Sequence, residues 1–303
     1  MTAPLSKLPA WTQRSSDSQV ILRDAGAAAG LRPPQEPAAR VPSKLPTFVQ
    51  GRVLAKRFLI DHVFEVTPQS TFLRAHDLRW ERLVLVRLLP RSEAPTEQRA
   101  RGWFRSLEPP LRGPGILGTL GVGVLPGGWP LLVCQYWRGR SLEAFLRSGE
   151  APQLLGMLHI ARALALALDE AHRLGQAHGD LRSDDVWLGR QADGSERAMI
   201  LGFQPPASTE TGAARVARDL DALGDLLSLM VARLLPRYGL RAKRAACADP
   251  ARENGRYRVI VGPLARVAAR CQRSSSQHHY VTAAEVASAL ERVEAIAARF
   301  SER

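Results

Sequence analysis

The sequence has no run of 18 or more consecutive apolar residues, although 45% of its 303 residues are apolar. A helix needs about 20 mostly apolar residues to span a bilayer, so we expect a soluble protein with no membrane partner. The N-terminal stretch also lacks the apolar core of a secretory signal, which favours a cytoplasmic location. A chain of this length buries enough apolar surface to fold as one large core or as two lobes.

Cysteine is scarce and odd in number, with Cys134, Cys247 and Cys271 as its three occurrences. They lie in or near apolar stretches and do not have the spacing of metal ligands. We therefore predict reduced thiols in the core and no metal site. A disulfide framework is excluded as the source of stability, since such frameworks belong to small secreted chains.

Lysine is also scarce, at 4 of the 42 basic residues, and the formal charge of +13 comes almost entirely from arginine. A strongly basic chain attracts anionic partners such as nucleic acid. The arginines are spread along the whole sequence, however, and an Arg- and Ala-rich composition explains the charge equally well. Nucleic-acid binding is one interpretation of the charge.

Residues 1–48 combine serines, an alanine run and five prolines between positions 33 and 46. This composition predicts neither helix nor strand, so we interpret the segment as a disordered arm. A tether or a docking peptide is the alternative. The folded part is expected to begin near Val49.

Strand patterns follow, rich in β-branched and apolar residues. RFLIDHVFEV and STFLRAHD predict an antiparallel pair, RLVLVRLLP a third strand, and GILGTLGVGVL and WPLLVCQYW two more strands after a polar helix over 95–108. The rest of the chain has helical periodicity, including the long apolar helix QLLGMLHIARALALALDEAHRLG and a last helix with a capping box at Thr282 and Glu285. A small sheet-rich lobe followed by a larger helical lobe is predicted.

Four stretches in this order resemble the protein kinase family, most closely the bacterial Ser/Thr type. LVCQYWRGRSLEAFL resembles the hinge pattern L-V-x-E-Y-x-x-G-x-S-L, and HGDLRSDDVWL resembles H-R-D-L-K-P-E-N-I-L-L. Asp219 with Leu223-Gly224 resembles D-x-x-x-L-G, and TAAEVASAL resembles the closing helix. The resemblance covers residues 51–298. It implies an α+β, two-lobed protein-kinase-like fold, with the N-lobe at 49–136 and the C-lobe at 137–303.

The resemblance also implies a nucleotide cleft lined by Glu65, Thr67, Ser70, Arg87, Cys134 and Tyr136. The first three of these residues stand at the glycine positions of G-x-G-x-x-G, where a bare backbone approaches the phosphates. Arg87 stands where V-A-I-K has its lysine, Cys134 at the gatekeeper position and Tyr136 in the hinge. The resemblance suggests two further residues: Lys56 as a displaced lysine, and Glu108 as the helix glutamate that pairs with the strand lysine in the family.

In the catalytic loop, the resemblance makes Asp180 the base and puts Asp185 in the place of the metal-binding asparagine. Gly202 stands where D-F-G has its aspartate, the residue that bridges magnesium and phosphates. His178, Phe203 and Asp219 match residues that the family uses for packing. Asp180 has a second interpretation, since a carboxylate there also caps the turn by backbone hydrogen bonds.

The replaced residues handle phosphate and metal, and the retained ones hold the fold together. This pattern predicts a pseudokinase that binds a protein partner as a scaffold or regulator, with no bound cofactor and no metal. The first alternative is an atypical ATP- and Mg²⁺-dependent phosphotransferase with Asp180 as base, Asp185 as metal ligand and Arg87 as phosphate clamp. The second is an Arg-rich nucleic-acid-binding protein on the same scaffold.

Overall fold

The computed structural model describes residues 19–22, 49–66, 70–89, 111, 113–125, 129–150, 154–190, 196–203, 211–234, 260–272 and 278–301. The chain divides into two compact units, one made of Met1–Pro110 with Gly118–Trp137 and the other of Leu111–Leu117 with Arg138–Arg303. None of the helices in the described part of the chain has the length and apolar character needed to cross a membrane.

The first unit holds an antiparallel sheet of seven described strands in the order β1-β6-β7-β5-β4-β3-β2. In chain order they are β1 (Gln19–Leu22), β2 (Val53–Leu54), β3 (Phe58–Val66), β4 (Thr71–Asp77), β5 (Arg82–Leu88), β6 (Thr119–Leu125) and β7 (Trp129–Gln135). The five predicted strands of this unit are thus confirmed. The predicted helix over 95–108 lies outside the described residues.

One face of this sheet forms an apolar core, because alternate residues of neighbouring strands point to the same side. In register, Ala75 lies between Ile60 and Val84, and all three are almost fully buried. The buried members of the core are Phe58, Ile60, Leu73, Ala75, Val84, Val86, Leu88, Leu125, Trp129, Leu131 and Val133.

Strand β1 corrects the prediction for residues 1–48, since Gln19–Leu22 pairs with β6 from Gln19 opposite Val124 to Leu22 opposite Gly121. The prediction of no strand in this segment is wrong at these four residues. QVIL is a short run with two β-branched residues, and β6 offers the unpaired N–H and C=O groups of a sheet edge. The rest of the segment lies outside the described residues.

Asp77, the last residue of β4, stabilises the turn that follows this strand at one end of the core. Its carboxylate accepts hydrogen bonds from Arg57 Nε at 2.6 Å and Arg57 Nη2 at 2.9 Å. It also accepts from the backbone N–H of Arg79 at 3.0 Å and of Trp80 at 3.4 Å. Burial acts to raise the pKa of Asp77, but these donors and the charge of Arg57 lower it below its usual value.

Asp77→Asn is expected to lower the free energy of unfolding by about 1–3 kcal/mol at pH 7, because a neutral amide pairs poorly with the Arg57 guanidinium. A carboxyl with a lowered folded-state pKa stabilises the fold above its unfolded pKa of about 3.9, and that contribution disappears as the pH falls. The difference between the two proteins should therefore shrink below about pH 4. Urea unfolding at a series of pH values measures it.

The matched control for this prediction is Asp61→Asn, which removes a carboxylate that pairs with Arg74 on the surface of the same unit. Exposed pairs contribute about 0–1 kcal/mol. Equal losses in the two variants, or a difference that does not depend on pH, would contradict a specific role for Asp77.

The second unit holds a small sheet and five described α-helices. The sheet has the order β10-β9-β8, with β8 at Gly139–Ser141, β9 at Val186–Arg190 and β10 at Glu196–Ile200. The helices are α1 (Leu142–Arg147), α2 (Leu154–Arg173), α3 (Gly212–Leu234), α4 (Gly262–Cys271) and α5 (Ala283–Ser301). These helices confirm the helical interpretation of the second half of the chain.

Helix α2 is the predicted long apolar helix, and it is mostly buried. Leu158, Leu164 and Leu168 are fully buried, whereas Leu166 is 48% exposed. The predicted long apolar helix is therefore confirmed, with Leu166 at an exposed position.

The last helix, α5, begins with the predicted capping box. Glu285 N donates to Thr282 Oγ1 at 3.3 Å, and the Glu285 carboxylate accepts from Val281 N at 2.8 Å and from Thr282 N at 3.4 Å. Donors that the helix itself leaves unsatisfied are thereby satisfied at its start.

Candidate functional site

The site in the second unit is built around Asp219, a fully buried residue of α3. Its carboxylate accepts from His178 N and Gly179 N, each at 2.7 Å, and contacts His172 Nε2 at 2.8 Å. Burial acts to raise the pKa of Asp219, but the hydrogen bond from His172 and the two backbone donors lower it below its usual value. Asp219 therefore fixes the backbone of the His178–Asp180 turn to α3.

The ring of His178 joins this turn to the segment after β10. Its Nε2 donates to Leu201 O at 3.0 Å, and its Nδ1 accepts from Asp180 N at 3.4 Å. The ring lies edge-on to Phe203, with the ring centroids 5.1 Å apart. His178, Phe203 and Asp219, the three residues that the sequence assigned to packing, are thus brought together in one buried cluster.

Gly202 lies between Leu201 and Phe203 and has a φ angle of +87°. This left-handed conformation suits glycine, and asparagine or aspartate adopt it more readily than other residues. A side chain at this position would be strained, and glycine avoids that strain. Glycine, however, leaves nothing there to coordinate a metal.

Two carboxylates of the same loop take part in contacts within the chain. Asp180 pairs with Arg182 through two contacts, at 3.1 Å to Nε and 2.7 Å to Nη2, and both side chains are nearly half exposed. The Asp185 carboxylate accepts from Arg182 N at 2.7 Å and is 4% exposed. Asp185 therefore caps the short 3₁₀ turn at Ser183–Asp185.

Two arginines of α3 that the sequence reasoning missed also hold this loop. Arg215 is buried and donates to Ala177 O at 2.8 Å, and Arg218 donates to Gly179 O at 3.1 Å. A Cβ atom on Gly179 would lie 3.1 Å from Arg215 Nη2, and Gly179 itself has a φ of +87°. The spacing i, i+3, i+4 of Arg215, Arg218 and Asp219 puts them on one helical face, and this was the signal available in the sequence.

The residues that the resemblance assigns to a nucleotide cleft belong to the first unit. Among them, the Arg87 side chain packs against its own sheet. Arg87 is 5% exposed, and its Nε donates to Ser70 Oγ at 3.1 Å. Its guanidinium carbon lies 5.4 Å from the centroid of the Phe72 ring. Ser70 is fully buried and Glu65 is half-buried in β3, whereas Thr67 lies outside the described residues.

Cys134 and Tyr136 differ in exposure although they lie two residues apart. Cys134 is buried, and burial raises the pKa of its thiol to about 12, against a smaller lowering by the charge of Arg87. Tyr136 is half-buried and hydrogen-bonds with Arg74, and its ring stacks on Phe64 at a centroid distance of 6.5 Å. Cys134 is therefore an unreactive core thiol.

The proposed substitute Lys56 is not near Arg87, so that interpretation is wrong. Lys56 lies in the exposed turn before β3, at the end of the sheet where Phe58 pairs with Asp77. Arg87 pairs with Phe72, which lies five residues from Asp77 along β4. At the usual rise per residue, Phe72 and Asp77 are about 17 Å apart. Glu108, the proposed partner of the lysine, lies outside the described residues.

No protein-family profile matches the chain. The Ser/Thr-protein kinase PknK of Mycobacterium tuberculosis is 34% identical over 104 residues, which are 34% of this chain and 8% of PknK. The chain thus spans a small part of that relative's length. The crystal structure of the M. tuberculosis PknI kinase domain matches with a TM-score of 0.57 at 19% identity, covering 82% of this chain and all of that domain.

A structure of Rad53 in complex with AMP-PNP also matches, with a TM-score of 0.53 at 17% identity over 77% of this chain and 64% of Rad53. The chain has the protein-kinase fold. Its short match to PknK makes it similar to the bacterial Ser/Thr kinases, and the predicted α+β, two-lobed fold class is confirmed.

The second unit contains the segments that the sequence resemblance assigns to the kinase site. The loop from His178 to Asp185, the segment from Leu201 to Phe203 and Asp219 of α3 are all present and packed. The sequence resemblance alone assigns Asp180 and Asp185 to the positions of a base and a metal ligand. No group of three or more His, Cys, Asp or Glu side chains suited to a metal ion occurs among the described residues.

Proposed function

We propose that this kinase-like chain is a cytoplasmic pseudokinase that transfers no phosphate and regulates or scaffolds a protein partner. The observation that carries the proposal is Gly202. Its two neighbours in the chain both contact His178. Phe203 packs on the His178 ring, and Leu201 O accepts a hydrogen bond from it. The position where a kinase needs a metal-binding carboxylate has no side chain.

The contacts of Arg87, at the position of the family's phosphate-binding lysine, support the same proposal. Phosphoryl transfer depends on positioned cations and backbone N–H groups around the phosphates. Arg87 instead donates to Ser70 and lies against Phe72. Arginine also differs from lysine in shape, since its planar fork does not present a compact ammonium charge.

The atypical phosphotransferase remains a second candidate because of one observation. The Asp180 carboxylate is nearly half exposed, so solvent and an acceptor hydroxyl can reach it. Against this candidate, Asp180 is engaged by Arg182 and the Asp185 carboxylate caps a turn. Loss of each charge-stabilising contact typically costs about 10²–10³ in rate.

A thermal titration with ATP and either Mg²⁺ or Mn²⁺ tests the proposal. A ligand at a hundred times its Kd stabilises a protein by about 2.7 kcal/mol, which raises Tm by several degrees. We expect no such rise for this chain. Asp185→Ala and the exposed control Asp225→Ala should give the same flat titration. A rise that Asp185→Ala abolishes and Asp225→Ala preserves would favour the phosphotransferase instead.

A further inference from the structure

One end of the first unit's sheet carries a cluster of basic side chains around an aromatic ring. We name this cluster the Trp80 surface and define it as Lys56, Arg57, Arg79, Trp80 and Arg82. Its two turns lie side by side, because Leu78 N donates to Arg57 O at 2.9 Å. Lys56, Arg79 and Arg82 are exposed, and Arg57 and Trp80 are half-buried.

The ring of Trp80 orients two of these cations. The guanidinium carbons of Arg57 and Arg82 each lie 4.4 Å from the centroid of the Trp80 ring. A guanidinium stacked on an aromatic face directs its N–H groups outward within its own plane. Among the described residues, the Arg82 side chain has no hydrogen bond or ion pair beside this ring contact, so its N–H fork can bind a ligand.

The same cluster already binds one carboxylate in a two-pronged way. Arg57 holds Asp77 through Nε at 2.6 Å and Nη2 at 2.9 Å, and Asp77 in turn holds the backbone of Arg79 and Trp80. The turn that carries the exposed cations is therefore anchored from inside. Anchored cations lose less side-chain entropy when they bind a ligand than cations on a mobile loop.

We propose that the Trp80 surface binds an acidic segment of a protein partner, with Arg82 contacting its carboxylates. Arg–carboxylate pairs are frequently bidentate, and this geometry suits the stacked Arg82 fork. Glu81 is the one exposed acidic residue of the second turn, and it opposes binding to some degree.

The size of the surface favours an acidic peptide over nucleic acid. Proteins that hold DNA through its backbone typically neutralise about 6–10 phosphates, over an interface of roughly 1,000 Å² or more. Two short turns with four basic side chains, one of which already holds Asp77, offer less than that. A short run of carboxylates matches a surface of this size.

Fluorescence anisotropy of labelled hexa-aspartate with the full chain at low ionic strength tests the proposal. Arg82→Gln is expected to weaken binding roughly tenfold, as for loss of one charged hydrogen-bond pair. Trp80→Leu leaves the charge unchanged but removes the platform, and it should weaken binding by roughly threefold or more. The matched control Arg173→Gln, which changes an exposed arginine of α2, should stay within about twofold.

Three results would overturn the proposal: no binding of hexa-aspartate, equal weakening by Arg82→Gln and Arg173→Gln, or tighter Arg82-dependent binding of oligothymidylate. The last would assign the surface to nucleic acid. If Trp80→Leu lowers Tm strongly, the comparison of Arg82→Gln with Arg173→Gln decides whether the proposal stands. The inference rests on the partner-binding part of the proposed function. A failure of peptide binding would not change the expected nucleotide titration. A nucleotide-dependent rise in Tm would likewise not change the expected peptide binding.

Discussion

Asp219→Ala is expected to lower the free energy of unfolding by about 3–5 kcal/mol, the range for removing one partner from a buried charged network. The variant leaves His178 N and Gly179 N without their acceptor in a buried place, and each unsatisfied donor costs about 1–3 kcal/mol. His172 loses its contact as well. Urea unfolding at pH 7 gives the value directly.

The control for Asp219 lies on the same helix. Asp225 is exposed and accepts one hydrogen bond from Gln272 at 2.6 Å, so Asp225→Ala should cost less than about 1 kcal/mol. Because the pKa of Asp219 is lowered in the folded state, its contribution should also be lost as the pH falls below about 4. A loss for Asp219→Ala no larger than for Asp225→Ala would mean that Asp219 does not anchor the loop.

Gly139→Ala is expected to destabilise the second unit by about 3 kcal/mol or more, at the upper end of the range for overpacked sites. Strand β8 passes so close to β9 that a Cβ atom on Gly139 would lie 2.0 Å from Leu188 O and 2.8 Å from Leu188 C. These are backbone atoms, which cannot rotate away as a side chain does. The added methyl group must therefore separate the Gly139–Gly189 pair.

Gly212→Ala is the matched control, because nothing lies within 4 Å of its Cβ position at the start of α3. Alanine there should be neutral or stabilising by about 0.5–1 kcal/mol, since glycine is a poor helix residue. Thermal unfolding of both variants compares them. If Gly139→Ala melts together with the parent chain, β8 and β9 do not approach each other as described.

The kinase fold could be predicted because its signals are local and ordered along the chain. The apolar alternation of β3, β4 and β5 and the helical period of α2 specify the elements. The hinge-like stretch and the HGDL turn then specify how the elements follow one another. Strand β1 could not be predicted in this way, since four residues of strand depend on the edge of β6, a hundred residues away in sequence.

The members of the candidate site could be proposed from the sequence, but their contacts could not. The sequence identifies Asp180, Asp185 and Gly202 by position, yet it does not say that Arg182 pairs with Asp180 or that Asp185 caps a turn. These contacts depend on rotamers and on local backbone geometry. The burial of Arg215 beneath Gly179 is likewise a tertiary effect, since an arginine in an amphipathic helix is usually exposed.

Phosphate transfer from ATP labelled at its terminal phosphate tests the central claim most directly. The full chain is incubated with Mg²⁺ and, separately, with Mn²⁺, beside Asp180→Ala and the exposed control Asp225→Ala. We expect the parent chain to incorporate no more label than Asp180→Ala, into itself or into an added protein acceptor. Time-dependent labelling by the parent chain and by Asp225→Ala, but not by Asp180→Ala, would contradict the pseudokinase proposal and establish an enzyme.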